Sequence, residues 1–88
     1  MRVIWKYVFG SDVLRVDRPG VVRHVGIDPV TRRPAVWVEH TDRDHLGTPP
    51  VFALFATGQE FPDGYVFEGS VIDADHGLVW HVHRDPLL

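Results

Sequence analysis

The chain has 88 residues, no cysteine and a formal net charge of −3 with neutral histidines. This length allows one domain and no second core. The negative balance gives no general attraction to nucleic-acid backbones or anionic lipid, so we expect neither a nucleic acid nor a membrane as partner. The missing cysteines favour a reducing compartment, and the start of the chain lacks the pattern of a signal peptide.

Apolar and polar residues alternate with a period of two through most of the chain, most clearly in Val36–His40 and Leu78–His83. Successive side chains of an extended strand leave opposite faces, so this period predicts strands with one buried face. In chain order, the predicted strands are Arg2–Phe9, Val13–Asp17, Val21–Asp28, Ala35–Thr41, Val51–Thr57, Tyr65–Ile72 and Leu78–Arg84.

Two of these strands are apolar on both faces. Arg2–Phe9 therefore reads as a central or doubly covered strand, and Val51–Thr57 as another strand with cover on both sides. The connections carry turn residues, since proline presets φ and glycine tolerates positive φ. We predict turns or loops at Arg18–Gly20, Asp28–Pro34, Thr41–Pro50, Phe61–Gly64 and Asp73–Gly77, of which Thr41–Pro50 is the long polar loop.

The fold class that follows is all-β: a single domain over residues 1–88, built as a small antiparallel barrel or sandwich of six or seven short strands. Antiparallel hairpins are expected to account for every short connection. Strands with two apolar faces in so small a chain also predict self-association, in which a second copy covers a face or an open sheet edge.

Histidine is the conspicuous enrichment, with six residues. His81 and His83 are two apart on one strand, so both imidazoles leave the same face and two ligands could reach one metal. The alternative, which we favour, is a pair on the wet face of a terminal strand. The polar loop offers a second candidate binding cluster, formed by His40, Asp42, Arg43, Asp44 and His45.

The sequence gives little support for a catalytic or phosphate-binding site. The chain has no cysteine, and its two serines, Ser11 and Ser70, lack the surroundings of a catalytic nucleophile. No Gly-rich phosphate loop or acid/base pair is recognisable. Arg32-Arg33 reads as a solvated hairpin tip, and the tryptophans Trp5, Trp37 and Trp80 read as core residues. We therefore expect no enzyme activity, no cofactor and no bound metal.

Several segments resemble a family of short, uncharacterised proteins encoded by phages and prophages. The resemblance covers most of the chain, although each motif is short. It lies in Met1–Tyr7 (the pattern M-x-x-I-W-K-Y), Val16–Gly20, Val25–Ile27, Pro34–Trp37, Phe55–Pro62, Tyr65–Ser70 and Gly77–Val82. The family has no assigned activity, so the resemblance implies provenance alone: a small phage product acting in the cytoplasm of a bacterial host. Position 83, usually aromatic in that family, is histidine here.

Three functions are compatible with the sequence. The first, which we favour, is a non-enzymatic protein that binds a host or phage protein through exposed strands or loops. The second is a homo-oligomer that sequesters a small nucleotide-like ligand in pockets between subunits. The third is a metal-dependent enzyme using His81 and His83.

Overall fold

The computed structural model describes residues 1–43 and 47–86. It confirms the all-β prediction. The strands are β1 (Arg2–Val8), β2 (Val13–Arg15), β3 (Val21–Ile27), β4 (Pro34–Thr41), β5 (Val51–Ala56), β6 (Val66–Asp73) and β7 (Leu78–Arg84). Each lies where the period of two predicts it, with ends that differ by at most two residues. The described residues include no helix with the length and apolar character needed to cross a membrane.

The strands form two antiparallel sheets. A three-stranded sheet has the order β1-β4-β3, and a four-stranded sheet has the order β2-β5-β7-β6. Their inner faces pack together, so the arrangement is sandwich-like and is not a closed barrel. The prediction that hairpins make every short connection is wrong, because β1 and β2 lie in different sheets. Only β3–β4 and β6–β7 are neighbouring strands joined directly by a short loop among the described residues.

The core lies between the two sheets and is filled by inward-facing aliphatic and phenyl side chains. Its fully buried members are Phe9, Val36, Val38, Phe52, Val71 and Val82. The expected double cover holds for β5, whose first four residues are all buried. It is wrong for β1, which is an edge strand with an exposed start. Apolar residues on both faces therefore do not mark a central strand here.

None of the three tryptophans is a fully buried core residue. Trp5 is 55% exposed on β1, which corrects the core assignment most clearly. Trp37 is half-buried and its ring packs against that of His24, with centroids 5.1 Å apart. Trp80 is half-buried and packs against the core from the four-stranded sheet.

The turn at Arg18–Gly20 is fixed to the three-stranded sheet by a buried imidazole. His40 has no exposed surface; its Nδ1 lies 2.7 Å from the Pro19 carbonyl oxygen and its Nε2 lies 2.7 Å from the Tyr7 hydroxyl. Because a carbonyl only accepts, Nδ1 carries the proton and Nε2 of the neutral ring accepts from Tyr7. Burial and the charge of Asp17 raise the pKa of the Tyr7 phenol.

Gly20 brings this turn into close contact with β4. A Cβ at Gly20 would lie 2.6 Å from Val38 Cγ1, 2.7 Å from the Glu39 carbonyl oxygen and 2.7 Å from His40 Nδ1. Two of these neighbours belong to the backbone or to a fully buried ring, so they have little freedom to move away.

Gly20→Ala is therefore expected to lower the free energy of unfolding by about 1–3 kcal/mol, through overpacking against β4. Gly10→Ala is the matched control, because a Cβ at Gly10 has no heavy atom within 4 Å; we expect a change within about 0.5 kcal/mol. Chemical denaturation of both variants measures the difference. Equal stabilities would contradict the close approach of the turn to His40.

Candidate functional site

His81 and His83 share the outer face of the four-stranded sheet, as their spacing predicts. Val82 between them is buried in the core, so both imidazoles point away from the other sheet. The two rings have different surroundings. His81 Nε2 lies 2.8 Å from Thr57 Oγ1, and its Nδ1 lies 2.8 Å from Ser70 Oγ. Both nitrogens of His81 are therefore already hydrogen-bonded to hydroxyls.

The wet face that we expected for the pair is wrong for His83, which is 6% exposed and lies beneath aromatic rings. Its ring centroid lies 4.5 Å from that of Phe61, 5.5 Å from Phe55 and 5.4 Å from Phe67. Phe61 stacks on Phe55 at 4.6 Å, and Tyr65 meets Phe55 edge to face. Such pairs contribute about 0.5–1.5 kcal/mol beyond the area that they bury. These contacts give His83 a packing role under the segment that leads into β6.

No group of three or more His, Asp or Glu side chains within residues 1–43 and 47–86 could hold a metal ion. The structure brings His81 and His83 to one face but adds no further ligand among the residues it describes. His40, the other described histidine of the predicted sites, lies on the opposite sheet, inside the molecule. The three imidazoles therefore do not form one site.

The predicted loop cluster is only partly described. Asp42 is exposed, and one of its carboxylate oxygens lies 3.3 Å from the N-terminal ammonium group. Arg43 is exposed, and its backbone amide donates to Thr41 Oγ1 at 3.1 Å. Asp44 and His45 lie outside the described residues. Binding by His40, Asp42, Arg43, Asp44 and His45 stays a prediction, and the structure places His40 of this cluster on β4 with no exposed surface.

Strand β1 presents an open edge that sequence reasoning missed. It pairs with β4 through seven consecutive residues without a register shift, and no described strand pairs with its other side. Val3, Ile4 and Trp5 are 41%, 53% and 55% exposed. The edge is therefore regular, long for so small a protein, and apolar on both faces.

The direction of the free backbone groups follows from one hydrogen bond. The Phe9 amide donates to the Pro34 carbonyl at 2.9 Å, in the same register as the β1–β4 ladder. Residues of an antiparallel strand alternate between facing one neighbour and the other. The backbone N–H and C=O groups of Ile4, Lys6 and Val8 thus point away from β4.

The other sheet edges carry devices that discourage pairing. Strand β2 has only three residues. Strands β3 and β6 each contain a register shift, between Val22 and His24 and between Phe67 and Gly69. These two edges also approach each other, because a Cβ at Gly69 would collide with Val25 Cγ2. Among the described edges, β1 alone is both long and regular.

A cleft opens where three connections meet at one end of the sandwich. Its volume is about 470 Å³. We call it the loop-end cleft; its lining is Phe9, Ser11, Asp12, Thr31, Arg32, Arg33, Pro34, Leu54, Asp73, His76, Leu78 and Trp80. It contains none of the residues that the sequence singled out as binding residues.

Two arginines tie the walls of the loop-end cleft together. Arg32, in the left-handed conformation at φ 63°, donates to both carboxylate oxygens of Asp75 at 2.8 and 2.9 Å. This bidentate contact lowers the pKa of Asp75 and raises that of Arg32. Arg33 donates to the carbonyls of Phe9 and Gly10, both at 3.0 Å. The exposed hairpin tip predicted for Arg32-Arg33 is confirmed, and the structure adds that both side chains bridge to neighbouring connections.

Asp28 holds the β3–β4 connection in shape. Its fully buried carboxylate accepts from Lys6 Nζ at 2.6 Å, from Thr31 Oγ1 at 2.7 Å and from the Thr31 amide at 3.0 Å. The hydrogen bonds from Lys6 and Thr31 hold the pKa of Asp28 far below its ordinary value of 3.8. Ionised Asp28 therefore stabilises the fold fully at pH values above 3.8. This contribution to the free energy of unfolding is lost progressively as the pH falls below 3.8.

Asp28→Asn is expected to be less stable than the wild type at about pH 7, because the amide loses the charge-assisted bond to Lys6. The difference should narrow as the pH falls from about 4 to about 2, because the Asp28 carboxyl of the unfolded wild-type chain takes up a proton in this range while that of the folded chain stays ionised. Urea denaturation across this range measures it. Asp63→Asn, at an exposed turn position, is the control, and a pH profile for Asp28→Asn parallel to the wild type would refute the role of Asp28.

Comparison with known proteins gives a family without an assigned role. No curated protein and no solved structure shows significant similarity to the chain. One family model, described as a domain of unknown function (DUF7352), matches residues 1–87. The chain therefore belongs to the DUF7352 family.

Proposed function

We propose that this protein is a non-enzymatic binding module that takes up an extended segment of another protein as an added strand beside β1. The observation that carries the proposal is the open, regular and apolar edge of β1. Strand addition draws affinity from backbone hydrogen bonds and specificity from alternate side chains. The outward backbone groups of Ile4, Lys6 and Val8 would supply the bonds, and exposed Ile4 and Trp5 would supply apolar contacts on the two faces.

The charge on the edge is compatible with this role. Lys6 is the kind of residue that blocks strand pairing, yet its ammonium group is held 2.6 Å from buried Asp28. Arg2 lies 3.5 Å from Glu39. Both cations at this edge therefore have acidic partners within the protein. A partner strand beside β1 need not neutralise them.

The resemblance to phage-encoded proteins supports a more specific version of the proposal. In that version the partner is a protein of the phage or of its bacterial host, and binding takes place in the host cytoplasm. The proposal requires no metal, cofactor or catalytic residue.

The test uses the backbone of Ile4. Ile4→Pro removes an outward N–H without touching the ladder to β4, and Ile4→Ala keeps that N–H while removing the side chain. With a partner identified by affinity capture and purified, we expect Ile4→Pro to bind at least about tenfold more weakly than Ile4→Ala. Thermal unfolding must show that both variants fold.

Amide hydrogen exchange gives an independent measure. Complex formation should protect Ile4, Lys6 and Val8 in the wild-type chain, since their amides would become bonded. A complex that protects other residues and leaves these amides unchanged would refute strand addition at β1.

A second candidate function rests on the outer face of the four-stranded sheet. Along β5, β6 and β7 the cross-strand partners on this face are Ala53, Phe55, Phe67, Ser70, Ile72, Val79, His81 and His83, and none of them is Asp, Glu, Lys or Arg. Arg15 of β2, opposite Val51, places one charge at the margin of the face. Phe67 and Ile72 are exposed. We propose that a second copy covers this face and that a small nucleotide-like ligand is held in the groove between the copies.

This candidate predicts a solution mass of at least twice the 10.0 kDa of one chain. Phe67→Lys should shift that mass to the monomer, since a charge would be buried in the contact, whereas Val30→Lys in the exposed β3–β4 connection should not. Light scattering coupled to gel filtration at about 100 µM measures the solution mass of the wild type and of both variants. A monomeric wild type would rule out the shared groove.

A further inference from the structure

The loop-end cleft has the dimensions of a small-molecule site. Its volume of about 470 Å³ falls within the roughly 300–1,000 Å³ that ligand pockets occupy. It is formed by a single chain, and its lining includes none of Ile4, Lys6 and Val8, whose backbone groups point outward from β1. It thus goes beyond both proposed functions, neither of which uses it.

The walls of the cleft are held before any ligand arrives. The Arg32–Asp75 ion pair joins the β3–β4 and β6–β7 connections, and Arg33 joins the β3–β4 connection to the end of β1 through the Phe9 and Gly10 carbonyls. Buried Asp28 fixes the β3–β4 connection from within. A site that is already ordered loses less conformational entropy when it binds.

The cleft combines apolar surface with two polar groups that retain hydrogen-bonding capacity. Half-buried Trp80 and exposed Leu78 supply the apolar surface, which includes an indole ring, while Phe9 and Leu54 are buried and add little accessible area. A guanidinium has five N–H donors, and Arg33 uses its Nε and Nη2 on backbone carbonyls. Within the described residues, no carboxylate forms an ion pair with Arg33.

His76 adds a nitrogen whose chemistry is set by its neighbour. Its Nδ1 lies 2.9 Å from Asp73 Oδ2, so Nδ1 donates to the carboxylate. In the neutral ring, Nε2 is then an acceptor. The side chain of His76 is mostly exposed, and no contact of its Nε2 occurs within the described part of the chain. The cleft therefore offers a donor at Arg33 and an acceptor at His76.

This combination selects against several ligand classes. A polyanion such as inorganic phosphate would meet Asp12 and Asp73 together with the arginines of the lining. An aliphatic molecule would leave Arg33 and His76 without partners. A flat ring with acceptors and donors on its edge satisfies both groups while it covers the indole.

We infer that the loop-end cleft binds a planar heteroaromatic molecule of the nucleoside class, with its ring against Trp80 and its polar edge toward Arg33 and His76. Base–aromatic stacking contributes about 1–3 kcal/mol per base. The sugar would extend toward solvent at the open side of the cleft.

The test is a titration of the ¹⁵N-labelled chain with adenosine and uridine, followed by NMR. Trp80→Phe identifies the Trp80 indole resonance. We expect at least one nucleoside to shift that resonance and the amides of the three connections. Ribose 5-phosphate, which lacks the ring, should shift neither, and phenol, which lacks ring nitrogens, should bind at least about tenfold more weakly.

Two adjacent residues give matched variants. Leu78 lines the cleft and is 40% exposed, whereas Val79 faces the opposite side of the same strand and is 36% exposed. Leu78→Lys should weaken nucleoside binding at least about tenfold, and Val79→Lys should change it less than about twofold.

Four results would overturn the assignment. They are the absence of shifts with both nucleosides at about 5 mM, equal binding of ribose 5-phosphate, equal binding of phenol, and equal weakening by the two lysine variants. Because Val79→Lys lies on the outer face, selective loss in that variant would instead place the ligand in the groove between copies. Failure of strand addition at β1 leaves all of these readouts unaffected.

Discussion

The hydrogen bonds to the buried carboxylate of Asp28 shape both candidate binding surfaces of this protein, the β1 edge and the loop-end cleft. The carboxylate accepts from Lys6 on β1 and from the amide and hydroxyl of Thr31. A buried carboxylate without these donors would be strongly destabilising, so the contacts must form together. One consequence is that the Lys6 ammonium is drawn back from the β1 edge. Another is that Thr31, Arg32 and Arg33 are held where they line the loop-end cleft.

Local patterns are sufficient to predict the strands and insufficient to predict their neighbours. Alternation along Pro34–Thr41 and Leu78–Arg84 follows directly from a single buried face, so these strands are recognisable in the sequence. Which strand lies at an edge depends on pairing between distant segments. Strand β1 has apolar residues on both faces, yet it is covered incompletely because β4 is its sole neighbouring strand in the described residues.

The candidate sites show the same limit. The spacing of His81 and His83 predicts one shared face, and the structure agrees, but hydroxyls and phenyl rings from other segments decide what each imidazole does. The loop-end cleft needs Arg32 and Asp75, which are separated by 43 positions. The opposite charges of the Arg32-Arg33 and Asp73–Asp75 tips are the only signal in the sequence, and that signal has meaning only once the fold places the two tips side by side.

The exposed residues of β1 are difficult to explain by folding alone. Single exposed apolar side chains are ordinary on protein surfaces, but Val3, Ile4 and Trp5 are consecutive and lie on both faces of an edge strand. A small domain gains no core packing from an indole that is more than half exposed, while an open apolar edge invites aggregation. The remaining edges are short, bulged or packed together, so this protein does use protective devices elsewhere. At β1 the charged residues Arg2 and Lys6 are bound to Glu39 and Asp28 instead of guarding the edge, and the added strand that we propose would account for an edge left open in this way.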